Sequence, residues 1–470
     1  MGAMQHFDLA VIGSGSGNSL IDERFADWNV ALIERDPVFG GTCLNRGCIP
    51  TKMFVLPADY AMSPTEAERL GVDLRYEGSD WAAIRDRIFG RIDAISAGGL
   101  DWRERSENVT VFHGEASFVD NRTLRIGDDE ISADRIVIAT GSRPRRLDVP
   151  GLDEVSDLVF TSDDIMRIDQ RPKRLVIVGG GYIAAEFAHI FSALGTEVTL
   201  INRSDVLLRS YDRDISDQFQ RLIAGRVKLR LNQKLSSVEK DGKGLIVVTT
   251  DRNGIEYEYF ADAMLVAVGR DRNSEALNLE AAGIDVRGGG QIRVDAQQRT
   301  SVDGIWAMGD VSSDYLLKHV ANAETRTVQH NLLYPDSPVE TDHRYVPHAV
   351  FSNPQIAAVG ATEQQLRQWG TSYVTATQRY ADVAYGWAME DEGHFVKLLA
   401  DPGSWALLGA HIIGPQASTL IQPLIQAMSF GQKVPDIARG LFWIHPGLPE
   451  VVVIALLGLM AAHQPAEIAK

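Results

Sequence analysis

The sequence predicts an α/β fold in which two similar units, each a strand, a glycine-rich turn, a helix and a second strand, precede a C-terminal α+β domain. Three observations predict it. The apolar run Phe7–Ile12 leads through GSGSGN to a second apolar run, Val30–Ile33; LVIVG leads in the same way through GGGYIAAE to VTLI; and beyond Tyr345 no further glycine-rich turn occurs.

In the first unit Gly13, Gly15 and Gly17 let the backbone turn tightly and approach a pyrophosphate, which is expected to sit at the N-terminus of the following helix. Glu34, 21 residues after Gly13, ends the second strand where a carboxylate accepts from an adenosine ribose hydroxyl. Asn18 takes the place where a third Gly, Ala or Ser is usual. From Thr110 to Gly141 the short alternating segments VTVFHGEASFV, RTLRI and RIVIATG read as a β meander that returns to a buried strand.

The second unit begins after the polar linker Gln170–Lys173, and Gly179, Gly181 and Ala184 repeat the register of the first. Asn202 and Arg203 stand where an NAD site places its carboxylate, and Arg209 follows. Two guanidinium groups without a carboxylate suit the 2'-phosphate of NADP, through charge-assisted, bidentate bonds. The strands GLIVVTT and IEYEYF flank an Asn253-Gly254 turn, and AMLVAVG reads as a buried return strand. The chain thus reads as two Rossmann-like dinucleotide-binding domains, residues 1–150 and 151–270. A segment 271–344 containing IWAMGD (Ile305–Asp310) completes the first, and an α+β domain of residues 345–470 carries strands TSYVTATQRY, HFVKLLAD and ALLGAHIIG with two helical regions.

Composition narrows the function. A net charge of -17 argues against nucleic acid or an anionic membrane as partner. No secretory signal is read, and Met1–Ala3 ahead of Met4 read as an artificial leader. Val451–Ala462 falls well short of the roughly 20 apolar residues that span a bilayer, so it is expected to be a buried or interface helix. Only two cysteines occur, which excludes a disulfide scaffold and suggests a reducing, cytoplasmic setting. No metal site is expected.

Both cysteines, Cys43 and Cys48, lie in GGTCLNRGCIPTK, Gly40–Lys52. Disulfide-bonded Cα atoms lie roughly 4.4–6.8 Å apart, whereas residues five apart on a regular helix are separated by about 7.5 Å along the axis. A bridge therefore requires an irregular turn, which Gly47 permits, and strained disulfides are the more easily reduced ones. Near the C-terminus His445 opens the polar motif HPGLPE, in which Glu450 is a nearby carboxylate able to orient a base.

These segments together resemble the pyridine nucleotide-disulfide oxidoreductases over essentially the whole chain. GGTCLNRGCIPTK is similar to the redox box of that family, ATG at Ala139–Gly141 to its mid-chain signature, AMGD at Ala307–Asp310 to its second flavin motif, and HPGLPE to its acid/base motif. The resemblance implies FAD and NADPH as cofactors and hydride transfer ending in reduction of a small-molecule disulfide. Cys43 is then the thiol that attacks substrate and Cys48 the thiol facing the flavin. Lys52 and Glu186 flank the reactive flavin nitrogen, Tyr182 covers the ring until nicotinamide arrives, and Asp310 binds the ribityl chain. Thr42, Thr140, Gly141, Gly269 and Gly309 join the implied cofactor contacts.

The resemblance also implies a homodimer in which His445, oriented by Glu450, completes the site of the other subunit. Two branches that need further C-terminal redox residues are disfavoured by the absence of a third cysteine, and Gly447 stands where the family usually has Thr. GSGSGNS and IPTKMFV point to a branch acting on a low-molecular-weight disulfide. The alternatives are an NAD-linked dihydrolipoamide dehydrogenase and a flavin and thiol sensor without turnover.

Overall fold

A computed structural model describes residues 4–463; Met1–Ala3, read above as an artificial leader, lie outside them. The strand Gln5–Ile12 lies between Val30–Glu34 and Asp129–Ile138, parallel to both, and Val109–His113 extends the sheet beyond Val30–Glu34. All five residues of Val30–Glu34 are buried, as a strand covered on both faces requires. Ile12 pairs with Ile33 and with Ile138, and Ala307 of the parallel strand Ile305–Ala307 also pairs with Ile138. This register brings Gly13, Glu34, Ala139–Gly141 and Gly309–Asp310 to one carboxyl edge, where nucleotide sites form in open α/β sheets. Thr123–Ile126 and Ala116–Phe118 add antiparallel, so the expected meander is present from Ala116 onward; its first segment, Val109–His113, instead pairs parallel with Val30–Glu34 at the opposite edge of the sheet.

The second sheet repeats the plan. Lys228–Leu231, Glu197–Asn202, Arg174–Val178, Ala263–Val266 and Val159–Phe160 run parallel in that order. A three-stranded antiparallel sheet, Gln233–Asp241, Gly244–Asp251 and Glu256–Ala261, packs on it through Leu235, Val238 and Val247. Its second hairpin turns at Asn253-Gly254 as expected, with Gly254 at φ +80°.

Three helices that the sequence did not announce lie between the first two parallel strands and the meander: α1 (Gly41–Asn45), α2 (Cys48–Arg69) and α3 (Trp81–Glu104). The second unit contributes α4 (Tyr182–Ala193) and α5 (Arg213–Ile223); α6 (Leu279–Ala282) and α7 (Lys318–Leu333) follow. Helices α2 and α4 are pinned together twice. Lys52 Nζ lies 2.7 Å from Glu186 Oε2, and His189 Nε2 lies 2.8 Å from Asp59 Oδ1. Phe54, Trp81, Phe187 and Phe191 fill the space between these helices and α3.

One expectation fails. No α-helix follows GSGSGN; the chain makes only 3₁₀ turns at Asn18–Leu20 and Glu23–Phe25. The physical reason lies in distant side chains. Arg103 of α3 donates to the carbonyls of Asn18 and Ile21 at 2.7 Å each, and Gln329 of α7 donates to that of Leu20 at 2.9 Å. Carbonyls that a helix would bond internally are thus already satisfied, and the 3₁₀ geometry is retained.

The C-terminal domain is an antiparallel sheet ordered His348–Val350, Ile356–Gly360, Leu407–Ile413, Phe395–Ala400, Val374–Arg379. The first two of these strands were not expected, and there are more helical segments than two, including α8 (Glu363–Trp369). The apolar run near the C-terminus is the helix Pro449–His463, which buries Val451, Val452, Ala455, Leu456 and Leu459. Gly458 lets it approach the sheet, since a Cβ there would lie 3.2 Å from that of Ala376. Among the described residues no helix is long and apolar enough to cross a membrane. Lys397, on the strand Phe395–Ala400, reaches Asp212 at 2.9 Å, Asp214 at 2.6 Å and Glu363 at 2.7 Å, which ties this sheet to α5 and α8.

Candidate active site

The two cysteines sit on either side of a helix break. Helix α1 ends at Asn45, Arg46 and Gly47 leave helical geometry, and α2 starts at Cys48. A Cβ on Gly47 would stand 3.1 Å from the Thr42 carbonyl and 3.6 Å from Cys43 Cα, so the fold back of α1 onto α2 needs a small residue there. This is the irregular turn that the spacing of the pair demanded. Both are free thiols hydrogen-bonded to each other. The bond makes them unequal. Accepting from Cys43 brings Cys48 down to about 7 against the opposing effect of burial, with help from its own N–H at the start of α2 and from the Lys52 ammonium. Cys43, as the donor, is pushed up, and burial adds to this.

One turn beyond Cys48, Lys52 pairs with Glu186, which is only 6% exposed. The second oxygen of Glu186 accepts the Phe351 N–H at 2.8 Å, and the Lys52 ammonium stands 4.3 Å from the centre of the Phe351 ring. A cation, a carboxylate and a ring from three separate segments are thereby fixed next to the redox pair. Tyr182 opens α4 on the same side. Desolvation pushes its phenol up to about 12; the Arg270 charge opposes this, and the charges of Asp310, Glu186 and Cys48 add to it.

The carboxyl edge of the first sheet forms a cradle shaped for a dinucleotide. A Cβ on Gly13 would stand 2.4 Å from the Ala139 carbonyl, and one on Gly17 would stand 2.2 Å from the Gly13 carbonyl. Gly41 at φ +71° presses on Gly15, whose Cα lies 2.6 Å from where a Cβ would sit, so the turn rests directly on α1 beside Thr42 and Cys43. Glu34 is buried and accepts from Ser14 N, Ser14 Oγ and Asp36 N, which leaves it acceptor capacity for a ribose hydroxyl. Asp310 accepts the Ser142 hydroxyl at 2.5 Å; burial raises its pKa, against Ser142 and Arg270. The Thr140 hydroxyl donates to the Asn273 carbonyl next to Gly141, and Glu324, almost fully buried, accepts the Gly309 N–H. Glycines that no side chain could replace, with carboxylates at both ends, fit FAD.

The second cradle repeats the first. Gly179 would place a Cβ 2.2 Å from the Ala267 carbonyl, as Gly13 does against Ala139, and Gly269 bends at φ +131° just beyond. Gly181 is open in front, Ala184 is buried behind it, and α4 presents uncapped N–H groups to a phosphate. Asn202 is buried at the end of its strand. Its amide donates to Ser204 Oγ and to the Val206 carbonyl, shaping the loop that carries Arg203 and Arg209. Both arginines are exposed, and among the described residues neither guanidinium has a hydrogen-bond or ion-pair partner. Two free cations at the ribose end fit the 2'-phosphate of NADPH.

His445 Nδ1 lies 2.6 Å from Glu450 Oε1, and Gly447 N donates to the other carboxylate oxygen. The pair is assembled as expected. The imidazole is 70% exposed, and among the described residues it shares no hydrogen bond with Cys43 or Cys48 within the chain. Residues that the sequence did not single out also line the site: Lys318, Arg103, Ser142, Glu324 and Phe351. They lie outside glycine or cysteine motifs, so only their contacts reveal them.

The chain matches the model of the pyridine nucleotide-disulphide oxidoreductases over residues 7–327 and that of their dimerisation domain over residues 346–456. It is 49% identical over 467 residues to a mycothione reductase of Mycobacterium tuberculosis, covering 97% of this chain and all of that one. It is 34% identical to a dihydrolipoyl dehydrogenase of Haloferax volcanii, with 95% of each chain covered. A solved HOCl-induced flavoprotein disulfide reductase of Escherichia coli superimposes with a TM-score of 0.84 at 28% identity, covering 96% of this chain and 99% of that one.

Proposed function

The chain belongs to the pyridine nucleotide-disulphide oxidoreductase family, and from this premise we propose that it reduces a low-molecular-weight disulfide, mycothione, with electrons from NADPH. It is a flavoprotein disulfide reductase. The observation that carries the reading is the thiol pair set across the Gly47 break, with Cys48 held toward thiolate by Cys43, its helix N-terminus and Lys52. FAD, when bound, relays the two electrons of a nicotinamide hydride to the Cys43-Cys48 disulfide. In the proposed division of the chain, residues 1–150 with 271–344 hold FAD, 151–270 hold NADPH, and 345–470 form the interface of a homodimer working in the cytoplasm.

In the reduced pair, Cys43 gives its proton to His445 of the second subunit and its sulfur attacks the substrate disulfide. The substrate S–S bond breaks, and the leaving thiolate takes the proton back from His445. Cys48 thiolate then attacks the Cys43 sulfur, which restores the protein disulfide and releases the second thiol, protonated from water. Glu450 holds the imidazole through its Nδ1, which directs Nε2 toward the sulfur chemistry. Lys52 and Glu186 hold one another beside the thiol pair, where they would flank a bound flavin; Tyr182 would cover the flavin face until nicotinamide arrives, and Thr42 and Asp310 would hold the cofactor's polar chain.

Mycothione is favoured over lipoamide by the segments GSGSGNS and IPTKMFV, by the 49% relative and by the arginines at the second ribose site. Replacing both Arg203 and Arg209 with alanine is expected to raise KM for NADPH by about 10- to 100-fold, the worth of lost charge-assisted bonds, while KM for NADH stays within about twofold. Initial rates with both cofactors check this. A panel of mycothione, glutathione disulfide, lipoamide and trypanothione tests the substrate: preference for lipoamide with NADH contradicts the proposal, and absence of any disulfide-driven turnover favours a sensor.

A further inference from the structure

The two glycine-rich turns of this chain solve the same problem by different means. GGGYIAAE opens the 12-residue helix α4, whose unpaired N–H groups and dipole face a phosphate. GSGSGN opens only a three-residue 3₁₀ turn and has no such terminus.

What flanks GSGSGN instead is positive charge. Lys318, the first residue of α7, donates from Nζ to Ser16 Oγ at 2.9 Å. Arg103, 3% exposed and stacked 4.1 Å from the Trp102 ring, donates from Nε to Asn18 Oδ1 at 2.5 Å. Ser16 and Asn18 are the two residues on either side of Gly17, so each cation grips one shoulder of the turn. Neither has an ion-pair partner among the described residues; Asp22, the nearest carboxylate to Arg103, is itself paired with Arg24 at 2.6 Å. Burial lowers the pKa of both, Arg103 to about 10. For Lys318 the charges of Cys43 and Cys48 oppose this lowering, but neither cation has a carboxylate partner among the described residues; cations withdrawn from water without one are costly, and an anion bound at this turn lowers that cost.

We propose that the pyrophosphate of the flavin nucleotide is held in this chain by a two-cation clamp, with Lys318 as a direct ligand and Arg103 as a positioning residue acting through Asn18, in place of a helix N-terminus. The inference rests on the placement of FAD at the first unit.

The test uses the full chain freed of flavin, titrated calorimetrically with FAD, ADP and adenosine. Lys318→Gln is expected to weaken FAD and ADP by about 10- to 100-fold, the range for a charge-assisted bond, and to leave adenosine within about twofold. Lys318→Arg retains most of the affinity, and the salt dependence of FAD binding becomes shallower in Lys318→Gln. Arg103→Gln is expected to lower the ratio of ADP to adenosine affinity in the same direction. That ratio does not respond to a general loosening of the fold, so a less stable variant still reports. Equal losses for ADP and adenosine, or none for either, overturn the clamp. Failure of the parent protein to bind FAD overturns the cofactor placement as well, and so separates the two.

Discussion

Replacing Cys43 with serine is expected to bring disulfide-driven NADPH oxidation down to background, a loss of about 10⁴-fold or more, the scale on which removal of a nucleophile acts. The argument is geometric. Cys43 lies on α1, outside the break, whereas Cys48 begins α2 beside Lys52 and within the charges that surround Tyr182. Serine keeps the hydrogen bond to Cys48 but offers a hydroxyl that neither forms nor resolves a mixed disulfide. The companion Cys48→Ser keeps the attacking thiol and loses the resolving one, so one substrate thiol is expected to remain bound at Cys43 per chain, visible as added mass. A Cys43→Ser protein that reduces the disulfide at the parental rate would falsify the assignment.

The second large effect is on stability. Lys397→Met removes a side chain that is 3% exposed and bridges three carboxylates, of which Asp212 is fully buried. Stranding a buried charge costs about 3–5 kcal/mol, so the melting temperature is expected to fall by about 3–5 °C for a cooperative chain of this length. The pH dependence gives a sharper signature. For Glu363, burial raises the pKa, but the bonds from Lys397, Tyr373 and Arg367, with the Lys397 charge, prevail and hold it down to about 2. A carboxylate with a depressed folded pKa contributes stability that is complete above its ordinary value and is lost as pH falls from there toward 2. Calorimetric melts across that window are expected to show a steeper acid limb in the parent than in Lys397→Met; parallel limbs contradict the assignment of the stability to this cluster.

The parts of the site that could be read in the sequence are those whose chemistry is packed into contiguous motifs. Cys43, Cys48 and the break between them occupy one six-residue window, and Gly13 and Gly179 announce their tight approach to a carbonyl by being glycine. The central parallel strands announce themselves as largely apolar runs, FDLAVI, VALI, LVIV and VTLI. What could not be read is what arrives from far away. Lys318 meets Ser16 across 302 positions and Arg103 meets Asn18 across 85. The helix expected after GSGSGN was lost for this reason: local propensity was overruled by side chains from α3 and α7 that took its carbonyls. Helices α2 and α3 escaped notice because α2 carries Pro57 and Pro64 and, like α3, exposes large apolar residues, Leu56, Tyr60, Ile95 and Trp102 among them, so no single apolar stripe marks it.

The contact between Asn18 and Arg103 also ties the two positions to one another. Restoring the small residue usual at position 18 would remove the acceptor that Arg103 Nε uses at 2.5 Å and leave a buried guanidinium short of a partner. Removing Arg103 first would leave the Ile21 carbonyl unsatisfied and the Asn18 carbonyl with only the 3.4 Å bond from Ile21 N–H. Each single step is destabilising on the scale of a buried unpaired polar or charged group. The two positions are therefore energetically coupled: changing both together is expected to cost less than the sum of the two single changes, and an engineer grafting a standard nucleotide-binding helix here must replace residues of α3 as well as the turn.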